Sequence, residues 1–126
     1  MRWVAKSVVL ALHRRQIAEH GGADGIRDIG LLESALARPL NIAAYDEKPS
    51  LERLAAAYAF GIARNHPFLD GNKRTAYVVM RLFLRLNGLD PKATQEAKYL
   101  TMLRLADGIL SEDDLAAWLR DHTIGP

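Results

Sequence analysis

The sequence predicts an all-α chain, one compact helical bundle of about six helices over residues 1–126. Three observations carry that prediction. Apolar residues recur at helical spacing, as Leu51, Ala55, Tyr58, Ala59 and Ile62 do. The periodic stretches are bounded by start and stop chemistry, with Ser50 and Ser111 as N-caps and Gly21-Gly22, His66-Pro67 and Asn87-Gly88 as terminators. A chain of 126 residues that is 49% hydrophobic fits one domain, and a domain of that size buries roughly two-thirds of its unfolded surface.

The first helix is predicted from about Lys6 to His20, ended by Gly21-Gly22, because glycine takes the left-handed conformation of a C-cap. Asp28 is placed to cap a short helix over Gly30 to Ala37, stopped by Pro39. Pro39 to Pro49 reads as an exposed loop flanking the site. Ser50 caps a helix to about Asn65, where His66-Pro67 ends it. The next helix, Gly71 to Asn87, is apolar on nearly all sides (Val78, Val79, Met80, Leu82, Phe83, Leu84, Leu86), the pattern of a buried central helix. A fifth helix covers about Thr94 to Ala106. The sixth starts at Ser111, with Asp114 as the capping-box acid and Leu110 able to staple onto Leu115.

Composition narrows the function classes. Seventeen Lys+Arg against fifteen Asp+Glu give a net charge of +2, which makes no case for direct nucleic-acid binding. With no cysteine there is no disulfide and no thiolate chemistry, which fits a reducing cytoplasm. The apolar run Val8 to Leu12 is short for a signal peptide and is followed by His13-Arg14-Arg15; no run approaches the ~18 residues of a membrane span. A cytoplasmic protein without membrane attachment is expected.

Chemistry concentrates in His66-Pro67-Phe68-Leu69-Asp70-Gly71-Asn72-Lys73-Arg74-Thr75-Ala76. A helix starting near Gly71 leaves its first N–H groups without partners, and its dipole adds about half a positive charge. Phosphate fits such an end. Gly71 lets the backbone approach closely, and Lys73 and Arg74 add charge. Asp70 would repel phosphate on its own; holding Mg²⁺ between carboxylate and phosphate removes that conflict. His66, four residues upstream, can accept a hydroxyl proton near neutral pH. Phe68 and Leu69 are candidate core anchors for the loop. Base, metal ligand, anion cradle and cations together match transfer of a phosphate-containing group to a hydroxyl. Each residue alone has a plainer role: Asp70 a helix cap, His66 a structural histidine, Lys73 and Arg74 a solvated helix end, Gly71-Asn72 a turn. The Walker A pattern does not apply, since the upstream glycine and strand are missing.

This stretch resembles the Fic/Doc superfamily signature, His-Pro-Phe-x-Asp/Glu-Gly-Asn-Gly-Arg-x-x-Arg, at His66, Pro67, Phe68, Asp70, Gly71, Asn72 and Arg74. Lys73-Arg74-Thr75 is similar to the form of the Doc ("death on curing") branch, as are Gly25-Ile26-Arg27-Asp28 and Leu31 to Leu36. The resemblance implies an all-helical fold with the active loop between two central helices. It implies His66 as base, Asp70 as Mg²⁺ ligand, Gly71, Asn72 and Arg74, with Lys73 beside them, at the nucleotide phosphates, and Phe68 as the pin of the loop. ATP and Mg²⁺ are the implied cofactors.

Two positions depart from the Fic pattern: Lys73 replaces a glycine, and Tyr77 stands where the second arginine belongs. Arg81 lies seven residues beyond Arg74, about 10.5 Å along the helix, too far to replace it. Both departures weigh against AMP transfer. The Doc resemblance implies instead a toxin of a type II toxin–antitoxin system, a kinase that moves the γ-phosphoryl of ATP to a hydroxyl of a translation elongation factor and blocks translation. The alternatives are a Fic-type adenylyltransferase and a non-catalytic helical binding module. No Ser or Thr has Glu four residues later, so the cis-inhibitory motif of some Fic proteins is missing and a separate antitoxin is the implied partner. Arg15 and His20 match an Arg-x₄-His spacing used by some helical ribonucleases, but a solvated helix face accounts for them. Tyr58, Tyr77, Phe83, Trp118 and Trp3 read as core or edge residues.

Overall fold

The computed structural model describes residues 1–124. Among these residues there are six helices: α1 (Lys6–His20), α2 (Ile29–Tyr45), α3 (Leu51–Asn65), α4 (Asn72–Leu86), α5 (Gln95–Ala106) and α6 (Glu112–His122). Two short strands, β1 (Asp90–Pro91) and β2 (Thr123–Ile124), pair antiparallel and tie the end of α6 to the connection after α4. The all-α class is correct, and the loop carrying the motif joins α3 to α4.

Local chemistry sets most boundaries. The side chains of Asp28, Ser50, Thr94 and Ser111 accept hydrogen bonds from Leu31, Arg53, Ala97 and Asp114 N–H at 3.0–3.1 Å, so each stands just outside its helix as an N-cap. Thr94 is thus a cap and not the first helical residue. Gly21 ends α1 with φ 83° and donates to Ile17 C=O at 2.8 Å.

Pro39 does not stop α2, which runs on to Tyr45. Proline costs a helix one hydrogen bond and a steric contact, about 3 kcal/mol. Here Pro39 is itself buried, and Ile42 and Ala43 beyond it pack on the core, so burial of the added turns offsets that cost. The irregular segment shrinks accordingly to residues 46–50.

The central helix is α3, not α4 alone. It packs on α2, α4, α5 and α6, and its residues Leu54 to Ala59 and Gly61 to Ala63 are all buried. Alanines at 55, 56, 57, 59 and 63 keep this helix thin enough for neighbours on every side. At Gly61 a Cβ would lie 2.9 Å from the Ala35 Cα, so the α2–α3 crossing requires glycine. Helix α4 is the second layer, burying Asn72, Thr75, Ala76, Val79, Met80, Phe83 and Leu84 against α3. Helix α1 lies across α4 and turns Val9, His13 and Gln16 inward. No helix of the described residues is long and apolar enough to cross a membrane.

Candidate active site

The loop between α3 and α4 is shaped by two left-handed residues. His66, the C-cap of α3, has φ 49°, ψ 56°, and is the one non-glycine residue with positive φ among the described residues. Such a conformation costs on the order of 1–3 kcal/mol and persists only where the surroundings enforce it. Arg27 supplies much of that enforcement. Its Nε donates to His66 C=O at 2.6 Å and its Nη2 to Asn65 C=O at 2.8 Å. The segment before α2 pairs with the loop as well: Arg27 and Asp28 N–H donate to Pro67 C=O at 2.7 and 3.1 Å, and Leu69 N–H to Gly25 C=O at 3.1 Å.

Gly71, with φ 77°, is the N-cap of α4, one residue outside the helix. A Cβ there would meet Ile17 Cδ1 at 3.2 Å and the His13 ring at 3.7 Å. The missing side chain therefore lets the loop close against α1. No side chain caps α4, and the first helical bond is Thr75 N–H to Gly71 C=O at 2.9 Å. The N–H groups of Asn72, Lys73 and Arg74 open the helix as free donors.

Phe68 is 1% exposed and stacks on the His13 ring, centroids 3.8 Å apart and planes 7° from parallel. Leu69, in contrast, has an exposed side chain and holds the loop only through its backbone bond to Gly25. The Asn72 side chain is 5% exposed and closes the loop on itself: Oδ1 accepts from Phe68 N–H at 3.0 Å and Nδ2 donates to Phe68 C=O at 3.0 Å. What Asn72 leaves for an anion is its backbone N–H. The orientation of that amide is fixed by Phe68, and the same NH₂ lies 3.3 Å from His66 Nδ1. An NH₂ only donates, so the neutral His66 ring is assigned its proton on Nε2. The side chain of His66 is otherwise exposed.

Asp70 is held at both ends. Its Oδ2 accepts from Ala23 N–H at 2.7 Å, and its backbone oxygen accepts from His13 Nε2 at 2.8 Å. It does not cap α4. Its second carboxylate oxygen has no protein partner among the described residues. No cluster of three or more His, Cys, Asp or Glu able to hold a metal accompanies it there. A lone exposed carboxylate oxygen beside open helix donors fits Mg²⁺, which is held by one or two carboxylates plus phosphates and water, and not a closed all-protein cage. Lys73 is half-buried and Arg74 exposed, with Nη2 3.4 Å from Gly21 C=O.

The structure thus gathers His66, Asp70, Lys73, Arg74 and the α4 donors at one loop. Arg15 stays outside, paired with Glu19 at 2.9 Å on the exposed face of α1, whereas His20 borders the same cleft as Lys73 and Arg74. Sequence reasoning missed His13 and Arg27 as parts of the site. For His13 the available signal is a polar residue in step with Val9 and Gln16 on the inward face of α1. For Arg27 none is visible without the fold, because its partners are backbone carbonyls.

Comparison with known proteins identifies the family. The model of the "Fic/DOC family" matches residues 3–84. The chain is 37% identical over 120 residues to "Protein kinase doc" of Escherichia phage P1, covering 95% of this chain and 94% of that one. It is 46% identical over 70 residues to "Toxin Doc" of Mycolicibacterium smegmatis, 55% of this chain and 54% of that one. From the motif loop, its placement between α3 and α4 and these matches, the chain belongs to the Fic/DOC family.

Proposed function

We propose that this chain is the toxin of a toxin–antitoxin pair and acts as a protein kinase, moving the γ-phosphoryl of ATP to a hydroxyl of a translation elongation factor. The observation that carries the reading is the meeting of His66, Asp70 and the uncapped α4 N-terminus in one pinned loop. The relative named a protein kinase, matched over 94% of its length, supports the reaction class. The elongation factor and the antitoxin rest on the family resemblance, as does a cytoplasmic site of action.

In this mechanism the N–H groups of Asn72, Lys73 and Arg74, with the Lys73 and Arg74 side chains, hold the oxygens of the transferred phosphoryl. The target hydroxyl oxygen bonds to the γ-phosphorus, the bond from that phosphorus to the β–γ bridging oxygen breaks, and ADP leaves. His66 accepts the hydroxyl proton. With the ring proton on Nε2, Nδ1 takes it once the contact with Asn72 is released, and at 3.3 Å that contact is weak. Asp70 would hold Mg²⁺, which would supply neutralisation of phosphate charge.

Adenylyl transfer has less support. At the position of the second Fic arginine, Tyr77 is half-buried, and Arg81 is turned toward Asp90, its Nε 3.4 Å from Oδ1. Expression in bacteria tests the proposal. The wild-type chain should arrest growth and translation, and His66→Ala should abolish arrest while keeping the helical fold. Arrest that survives His66→Ala would remove catalysis from the account.

A further inference from the structure

A cleft of about 340 Å³ opens on the α1 side of the motif loop. That volume lies at the lower end of the range of small-molecule sites. Leu10, Ile26 and Phe68 supply apolar walls, and His13, Arg14 and Asp24 supply polar groups. Two of those groups are acceptors that face each other unmet. His13 is buried, and its Nε2–H is committed to the Asp70 carbonyl at 2.8 Å. Its Nδ1 is then a bare lone pair. Asp24 Oδ1 stands 4.0 Å from that nitrogen. Neither the ring nitrogen nor the carboxylate has a hydrogen-bond donor among the described residues.

We propose that this cleft binds a small organic amine, a primary ammonium group on an apolar stem. A nitrogen placed about 2.9 Å from both acceptors sees them at an angle of about 90°, which two N–H bonds of one ammonium can span. The ammonium charge complements Asp24, and the stem lies along Leu10, Ile26 and Phe68. A phosphate or carboxylate is disfavoured there, because its oxygens would meet a lone pair and a second carboxylate. Arg14, the cation of the lining, is exposed and makes no ion pair with Asp24 among the described residues, so the Asp24 charge stays available. Water is the competing occupant. One water can bridge the two acceptors, but its share of volume is only about 30 Å³, and the apolar walls give further waters no partners. An amine satisfies the acceptors and fills the apolar part as well. It also bears on the motif loop: a donor at Nδ1 keeps the His13 proton on Nε2, the tautomer that holds Asp70, and the stem packs beside Phe68. An occupied cleft therefore steadies the loop from behind.

An NMR titration of the full-length chain, labelled with ¹⁵N in its histidine rings, tests this. The probes are n-hexylammonium and, as the charge-reversed control at matched ionic strength, hexanoate. Hexylammonium should move the His13 Nδ1 signal saturably and bind at least ten-fold more tightly than hexanoate. Asp24→Asn, a change at an exposed position, should weaken hexylammonium at least ten-fold, the loss of one hydrogen bond to a charged group. Ile26→Trp, which fills the apolar part, should abolish the rise in Tm that hexylammonium gives the wild-type chain. Circular dichroism confirms that both variants fold. No saturable shift with hexylammonium would mean that the cleft holds water alone and would overturn the proposal. So would equal binding of the two probes, or an unchanged hexylammonium affinity in Asp24→Asn.

Discussion

His13 Nε2 stands 2.8 Å from the backbone oxygen of Asp70, joining residues 57 apart in sequence. A carbonyl only accepts, so His13 donates and its neutral ring is assigned its proton on Nε2. The ring is 2% exposed and stacked on Phe68. Helix α1 therefore holds the loop twice, by this bond and by the stack, and sets where the Asp70 carboxylate stands.

His13→Leu keeps an apolar side chain against Phe68 and removes the donor. Residues that orient a metal-binding carboxylate typically matter 10–100-fold in metal affinity or activity. Under the proposed mechanism the Mg²⁺ concentration for half-maximal transfer should rise by about that factor. Titration of activity against Mg²⁺ checks this, and an unchanged midpoint would mean the loop needs no help from α1.

Asn72→Ala should damage stability as much as activity. It strips partners from the N–H and C=O of buried Phe68, and each unsatisfied buried group costs about 1–3 kcal/mol. A fall in Tm of roughly 10 °C is expected by thermal unfolding. A fall of only a degree or two would show that the loop closes without this amide.

Arg27 braces the strained His66 through a two-pronged contact with two carbonyls. Lysine lacks the planar fork, so Arg27→Lys should lose most of what Arg27→Ala loses. We expect a roughly ten-fold lower kcat with little change in the KM for ATP, measured by steady-state transfer. Full activity in Arg27→Lys would reduce the role of Arg27 to charge.

Gly61→Ala gains about 1 kcal/mol of helix propensity and forces a Cβ to within 2.9 Å of Ala35 Cα. Overpacking of this kind costs about 1–3 kcal/mol, so the variant should be destabilised on balance. Denaturant titration reads the sign. Stabilisation would show that α2 and α3 separate freely.

The candidate site was legible because its residues are contiguous: one loop and one helix start carry His66, Asp70, Lys73 and Arg74 within nine residues of sequence. What braces them was not legible. His13 and Arg27 act on backbone oxygens far along the sequence, and no local pattern encodes that return. Gly71 was read for access to phosphate, while the structure shows it also admits α1. At Pro39 a local rule met burial of a longer α2 and lost. Helix α3 shows its helical period but hides its central position, because its alanines are small although fully buried, whereas the large apolar side chains of α4 point to that helix instead.

The most direct test of the central claim is transfer of label from ATP in bacterial lysate, comparing γ-labelled with α-labelled nucleotide and wild type with His66→Ala. The account predicts label from the γ position alone, on a single band of elongation-factor size, lost in His66→Ala. Label from the α position, or γ label that persists in His66→Ala, would contradict it.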